Sequence, residues 1–216
     1  MNTLSKISIY RRITDTEPKS ELSINDYCWY IMNDNSYLPE ITEIRNTTDK
    51  SRRTELKRKL PAVTISGTFS GGHKATNLIQ HSGAIGIDID SGDNPTVKDW
   101  AKLRNKIGQI KEVLFSSLSV SGKGVFCIIP ISEPNQHKAH FKALQKDFKQ
   151  IGLTIDKGCS DVSRLRYWSH DQQAVFNADA KPYSKLFIEP KPQPKKYHAT
   201  SIELNNLILW TDKKAG

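Results

Sequence analysis

Ala84-Ile85-Gly86-Ile87-Asp88-Ile89-Asp90 is the stretch on which the reading of this chain turns. Isoleucine recurs at every second position, so on a strand these side chains share one buried face. Asp88 and Asp90 then project together from the opposite face. The turn formers Ser91-Gly92-Asp93-Asn94-Pro95 end the strand. Two carboxylates about 6–7 Å apart on one face repel and resist burial unless something positive is shared between them. A divalent ion meets that need, since Mg²⁺ is commonly held by one or two carboxylates plus substrate phosphates. A second reading leaves both acids solvated at an exposed strand end beside a turn. The strongly apolar run before the pair and further acids downstream favour the first.

Working outward, Lys6-Ile7-Ser8-Ile9-Tyr10 alternates as a strand does, and Ser23 is placed to cap a helix carrying Ile24, Tyr27, Cys28 and Ile31 on one face. Residues 62–66 read as a short strand, and residues 64–72 run on into a glycine-rich loop. A helix is expected over residues 96–107. Residues 113–120 and 125–131 are two strands joined by Ser121-Gly122-Lys123-Gly124, a connection short enough for a β-hairpin. Pro134 opens a helix with Phe141, Leu144, Phe148 and Ile151 on one face. Short strands are expected at residues 174–176 and 185–188. Pro190, Pro192 and Pro194 then mark an extended linker, and residues 202–210 hint at a helix that stops soon after starting, as in a piece of a longer protein. The expected organisation is one domain over residues 1–189, then a Pro/Lys-rich linker and the start of a C-terminal segment over residues 190–216. Strands alternating with helices give an α/β or α+β class.

Length and composition bound the rest. With 216 residues, 37% of them hydrophobic and including 4 Trp, 7 Tyr and 7 Phe, the chain has material for a real core. No apolar run approaches the roughly 18 residues of a membrane span, and the N-terminus shows no apolar h-region of a secretory signal. Cys28, Cys127 and Cys159 are odd in number and widely spaced, which excludes a disulfide framework, argues against a structural zinc site and suits the cytoplasm. The net charge is +9. Residues 45–59 hold seven basic and two acidic groups, and residues 181–216 hold seven and three. The remainder balances at 18 against 18, so the surplus sits in two flanking stretches around a neutral body.

Two more segments carry polar chemistry. Ser119-Val120-Ser121-Gly122-Lys123-Gly124 is not a P-loop, because Gly124 follows the lysine where Ser or Thr is required. Its hydroxyls, backbone N–H groups and Lys123 can still cradle a phosphate; the plain alternative is a hairpin turn with a solvated lysine. In residues 152–171, Asp156 follows an apolar residue and precedes a turn, as Asp88 does. Ser160 or Asp161 is placed to cap a short helix, with Arg164 placed to meet a phosphate or a carboxylate, and Arg166, Ser169 and His170 able to line the same pocket. An Arg–Asp structural network over a core of Tyr167 and Trp168 is the compatible alternative.

Together these motifs resemble a known family. Residues 59–69, His81-Ser82-Gly83, Gly86-Ile87-Asp88-Ile89-Asp90, the Ser119–Gly124 turn and Asp161-Val162-Ser163-Arg164-Leu165-Arg166-Tyr167-Trp168-Ser169-His170-Asp171 follow, in order, the pattern of the VirE-like N-terminal domain family of mobile elements and phages. That family looks like a branch of the archaeo-eukaryotic primase, or primase-polymerase, superfamily. The resemblance spans roughly residues 5–188. It implies an α+β fold in which an RRM-like antiparallel catalytic sheet packs with helices and an N-terminal α/β unit. It also implies that Asp88 and Asp90 are the first motif, Ser121 to Gly124 the second, and Asp156 the third, with Asp161 as the secondary choice of acid. The histidine the second motif implies falls at Phe126, which leaves Lys123 to supply charge from the hairpin.

The implied activity is template-directed nucleotide polymerisation by a replication protein of a phage or mobile element. Asp88, Asp90 and Asp156 would hold Mg²⁺ or Mn²⁺. Ser119, Ser121, Gly122, Lys123, Gly124, Arg164, Arg166, Ser169 and His170 would bind an NTP or dNTP. Arg45, Arg52, Arg53, Lys57 and Lys59 would track a single-stranded DNA template. A non-catalytic nucleic-acid-binding module that recruits a helicase through its tail is the alternative, and a metal-dependent nuclease a third.

Overall fold

A computed structural model describes residues 6–188. The linker expected at Pro190–Pro194 and the helical pattern at residues 202–210 lie outside the described residues. The architecture is mixed α+β, with antiparallel sheets and several helices.

The decisive strand forms as read: β6 spans Ala84–Asp90. It pairs antiparallel with β8 (Gly124–Pro130), which pairs with β7 (Phe115–Leu118), which pairs with the two-residue β10 (Val175–Phe176). All seven residues of β8 are buried, as a central strand with both faces covered requires. Ile85, Ile87 and Ile89 meet Val125, Cys127 and Ile129 in a core roofed by α4 (Trp100–Gly108) and α5 (His137–Gln150). After α5 the chain returns beside β6, where the Asp156 N–H donates to the Asp88 carbonyl at 2.8 Å.

The other face of this sheet packs on a second sheet. Its order is β2 (Ser20–Ser23), β1 (Lys6–Tyr10), β3 (Ala62–Thr64), β9 (Leu165–Tyr167). Ile7, Val63 and Ile65 meet Ala84, Phe115, Phe126 and Ile128, together with Tyr27, Cys28 and Ile31 of α1 (Ile24–Asn33). Gly86 lets the layers touch: a β-carbon there would lie 3.1 Å from Ile65. The Ser23 cap is as expected, its Oγ accepting from the Asp26 N–H at 3.0 Å. A small third core, Ile41, Ile44, Leu56 and Leu60, holds α2 (Leu38–Asn46) and α3 (Lys50–Lys57).

Four expectations need correcting. The 96–107 helix starts only at Trp100, because Asp99 caps it by accepting from the Lys102 N–H at 2.8 Å. Residues 64–72 are not one strand: the chain reverses after Thr64 and a separate strand, β4 (Gly67–Phe69), pairs with β5 (Leu78–His81). Ile151 is 61% exposed, since α5 ends at Gln150 and Gly152 turns the chain with φ +79°. Residues 185–188 form no strand. They lie along α5 instead, with the Phe187 N–H donating to the Ala139 carbonyl and Lys146 Nζ 4.1 Å from the Phe187 ring centroid.

Candidate active site

On β6 the inter-sheet face changes character along its length, from Ala84 in the core through the half-buried Gly86 to Asp88 and Asp90 at the open end. Facing them across the gap is β9, which turns Arg166 inward at the position opposite Val63. An open cleft of about 230 Å³ results, lined by Asp88, Asp90, Ser119, Ser121, Arg164 and Arg166, with Lys57 arriving from α3.

Asp88 is the best-anchored acid. Arg166 Nη2 donates to its Oδ1, and both side chains are largely buried. The guanidinium carbon of Arg166 sits 3.7 Å from the centroid of the Phe126 ring, which the register places directly opposite Asp88. Phe126 therefore serves the site as a platform for a cation, an aromatic role distinct from that of a histidine. The Cys159 thiol lies 3.7 Å from Asp88 Oδ2 as a donor. Burial, then Asp88, pushes that thiol's pKa up, so it is held protonated.

Asp156 arrives on the turn Lys157–Ser160 that follows the return segment. Its Oδ1 accepts from the Gly158 N–H at 2.8 Å and its Oδ2 from Arg164 Nη2 at 2.6 Å. Gly158 makes room for this pair, because a β-carbon there would stand 3.0 Å from Arg164 Nη1. Asp88, Asp156 and Cys159 bring one ligand atom each to within 4.8 Å of one another. Two hard carboxylates and one thiol so close together fit a divalent ion. Between the two acids read as third candidates the geometry distinguishes clearly: Asp156 joins Asp88, whereas Asp161 Oδ1 accepts from Ser163 N–H and Oγ at 2.9 Å, capping its own turn.

Asp90 lies at the exposed strand end. Protein packed about its carboxyl, then Asp88, raises its pKa, with Arg166 pulling it back. Its carbonyl accepts from Asn94 Nδ2 at 3.0 Å, but among the described residues its carboxylate has no hydrogen-bonding or ion-pairing partner. Gly124 faces it in the register, and a β-carbon there would meet Asp90 Oδ1 at 2.9 Å. Close by, Ser119 Oγ and Ser121 Oγ are 3.3 Å apart. Gly122 reverses the chain with φ +68°, and Lys123 stands exposed outside the cleft lining.

These observations define a chemistry before they define a name: acids, guanidinium groups and hydroxyls on one cleft, within a domain of antiparallel sheets. A family model matches residues 55–176, described as BT4734-like, N-terminal domain. The chain belongs to that family. The match takes in Lys57, all three acids, the glycine hairpin and both arginines; of the residues lining the cleft, Ile13 lies outside it. It establishes a domain family and leaves the reaction to the chemistry of the cleft. No curated protein and no solved structure matches the chain.

Several residues read as ligand-binding spend their polar atoms inside the fold. Ser169 Oγ donates to the Leu118 carbonyl at 3.0 Å, and His170 Nδ1 lies 3.1 Å from the Asp34 carbonyl; both residues are buried. Arg45 reaches the His170 carbonyl at 2.7 Å and packs beneath Gly122. Arg53 donates to the Thr47 carbonyl, and Arg52 pairs with Glu43 and Glu55. Of the five basic residues read as template contacts, Lys57 alone lines the cleft, its pKa lowered by burial and then by Arg53. Sequence reasoning missed Cys159 as a site residue; its spacing three after Asp156 was the available signal. Cys28, Cys127 and Cys159 are all free and buried, consistent with the absence of a disulfide framework.

Proposed function

We propose that this domain is a primase-like nucleotidyltransferase that joins nucleotides on a single-stranded DNA template. The observation that carries the reading is the convergence of Asp88 and Asp90 with Lys57, Arg164 and Arg166 on one cleft, with Asp156 beside it, paired with Arg164 and close to Asp88. The order of the sheet that carries β6 supports it. Strand β6, helix α4, strands β7 and β8, helix α5 and a return segment beside β6 run in the sequence of a split β-α-β unit, the plan of an RRM-like sheet. The resemblance to VirE-like domains and primases points the same way.

In this reading Asp88 and Asp156, which lie together, would hold Mg²⁺ or Mn²⁺ with Asp90 beside them, and the ion would supply activation of the attacking 3′-hydroxyl and neutralisation of charge on the leaving pyrophosphate. Arg166, fixed on Phe126, keeps Asp88 in one orientation. Lys57, Arg164 and the hydroxyls of Ser119 and Ser121 meet phosphate oxygens, Arg164 with a bidentate fork. Asp90, raised in pKa and without a protein partner, is the acid best suited to take up a proton or a cation. The test is primer synthesis on single-stranded DNA with NTPs or dNTPs and Mg²⁺ or Mn²⁺. Synthesis unchanged by Asp88→Ala with Asp90→Ala would sink the mechanism.

One observation favours a second reading, a nucleic-acid-binding module without catalysis. Asp88 is already neutralised by a buried arginine on an aromatic platform. Such a module would show no Mn²⁺ binding that depends on Asp88 and Asp90. Recruitment of a helicase in that reading would fall to residues 190–216, outside the described residues.

A further inference from the structure

Resting on the nucleotidyltransferase reading, we propose that Arg164 is an exchangeable arm which holds Asp156 in the metal-free protein and moves to the nucleoside triphosphate when a divalent ion takes its place, so that cation and nucleotide bind cooperatively.

The two arginines of the cleft are built differently. Arg166 has a side chain 9% exposed, is stacked on Phe126 and is paired with an acid that is itself 17% exposed. Releasing it would strand a buried charge. Arg164 is 48% exposed and rests on Asp156 at the cleft mouth. An ion pair whose arginine is this exposed contributes little, so it yields readily to a competing cation. Gly158 gives the guanidinium a place to lie without enclosing it.

Charge balance supplies the coupling. Asp88 and Asp90 line the cleft with Lys57, Arg164 and Arg166, and Asp156 pairs with Arg164 beside it, so three carboxylates balance three cations. The site is neutral as it stands and offers no net attraction to a triphosphate. Two added positive charges leave a surplus, and Arg164, displaced from Asp156, becomes a free bidentate donor beside it. Because linkage is reciprocal, the nucleotide must then tighten the cation by the same factor. Arg166 stays where it is throughout and acts as a positioning residue for Asp88.

The experiment is a Mn²⁺ titration of the full chain, followed by electron paramagnetic resonance, with and without a non-hydrolysable triphosphate, in wild type, Arg164→Ala, Arg164→Gln and Asp156→Asn. The wild type is expected to bind Mn²⁺ about fivefold or more tightly with the triphosphate present. Both Arg164 variants are expected to bind Mn²⁺ alone more tightly than wild type, having lost the competitor, and to lose most of the coupling. Arg164→Gln guards against a simple packing effect. Coupling that persists in both variants, or Mn²⁺ affinity unchanged or weakened by them, overturns the exchange even if Asp156→Asn abolishes binding. Mn²⁺ binding absent from wild type, or indifferent to Asp156→Asn, overturns the exchange and the metal-dependent reading together.

Discussion

Arg166 is held between Phe126 and Asp88: its guanidinium carbon lies 3.7 Å from the ring centroid while its Nη2 donates to the carboxylate on the neighbouring strand. The ring is 40 residues away in sequence and the acid 78, so the fold alone assembles this trio. Phe126→Leu keeps an apolar side chain but removes the π face. It is expected to cost about 1–3 kcal/mol in urea denaturation, from the lost cation–π contact and a small cavity. Phe126→His, which restores the residue implied by the primase resemblance, is expected to cost more, since it buries a polar ring beside a guanidinium. Equal or greater stability in the histidine variant would argue against the platform role.

Asp88→Asn and Asp90→Asn are expected to act in opposite directions on stability. The first leaves Arg166 buried without its counter-charge and should cost about 3–5 kcal/mol. For the second the sign follows from the raised Asp90 carboxyl. The folded state binds that proton more tightly than the unfolded chain, so stability falls as pH rises from the ordinary carboxylate range, about 4, through the raised folded value. Asp90→Asn should therefore be more stable than wild type at pH 7, with the difference vanishing below about pH 4. Denaturation at pH 7 and pH 3.5 decides it, and a variant weaker than wild type at pH 7 refutes the electrostatic account.

Outside the cleft lining, Arg104 and Asp171 form a pair with side chains 3% and 6% exposed. Asp171 also accepts the Leu118 N–H at 2.8 Å, pinning β7 to α4 and to the segment after β9. Asp171→Ala is expected to lower unfolding free energy by about 3–5 kcal/mol through the stranded guanidinium. A loss below about 1 kcal/mol would mean that water enters and solvates Arg104.

His81 and His137 share a hydrogen bond, with Nε2 of the first 3.0 Å from Nδ1 of the second. The Gly83 N–H donates to His81 Nδ1, so His81 is the donor to its neighbour. Burial holds both rings at a pKa of about 4, and for His81 the proximity of His137 adds to it. Folded values below the unfolded one of about 6.5 give stability that is complete above that pH and is lost as pH falls towards 4. Urea unfolding at pH 7, 5.5 and 4.5 should show this decline, with a shallower slope in His81→Gln. An identical slope in the variant would remove these rings as its cause.

What could be read in the sequence was local. The period-two isoleucines of residues 84–90 place β6 and both acids, and Ser23 places the start of α1, because one strand face or one cap is written within a few residues. The rest is decided by tertiary contact. Arg45 belongs to the most basic stretch of the chain, yet it turns inward to the His170 carbonyl, a partner 125 residues away. Charge density cannot reveal that a guanidinium has been used as a strut. Cys159 was legible as a lone thiol and became a neighbour of Asp88 only through the return segment beside β6. Ile151 kept its helical spacing but fell one residue beyond the end of α5.

Gly86 leaves no room for a side chain against Ile65, and two and four residues further along β6 stand Asp88 and Asp90. Gly86→Ala would set a methyl 3.1 Å from Ile65, so Ile65, which follows β3, would have to give by a few tenths of an ångström. β3 carries β9 as its neighbour, so one methyl at Gly86 would be felt at Arg166 with no charge altered.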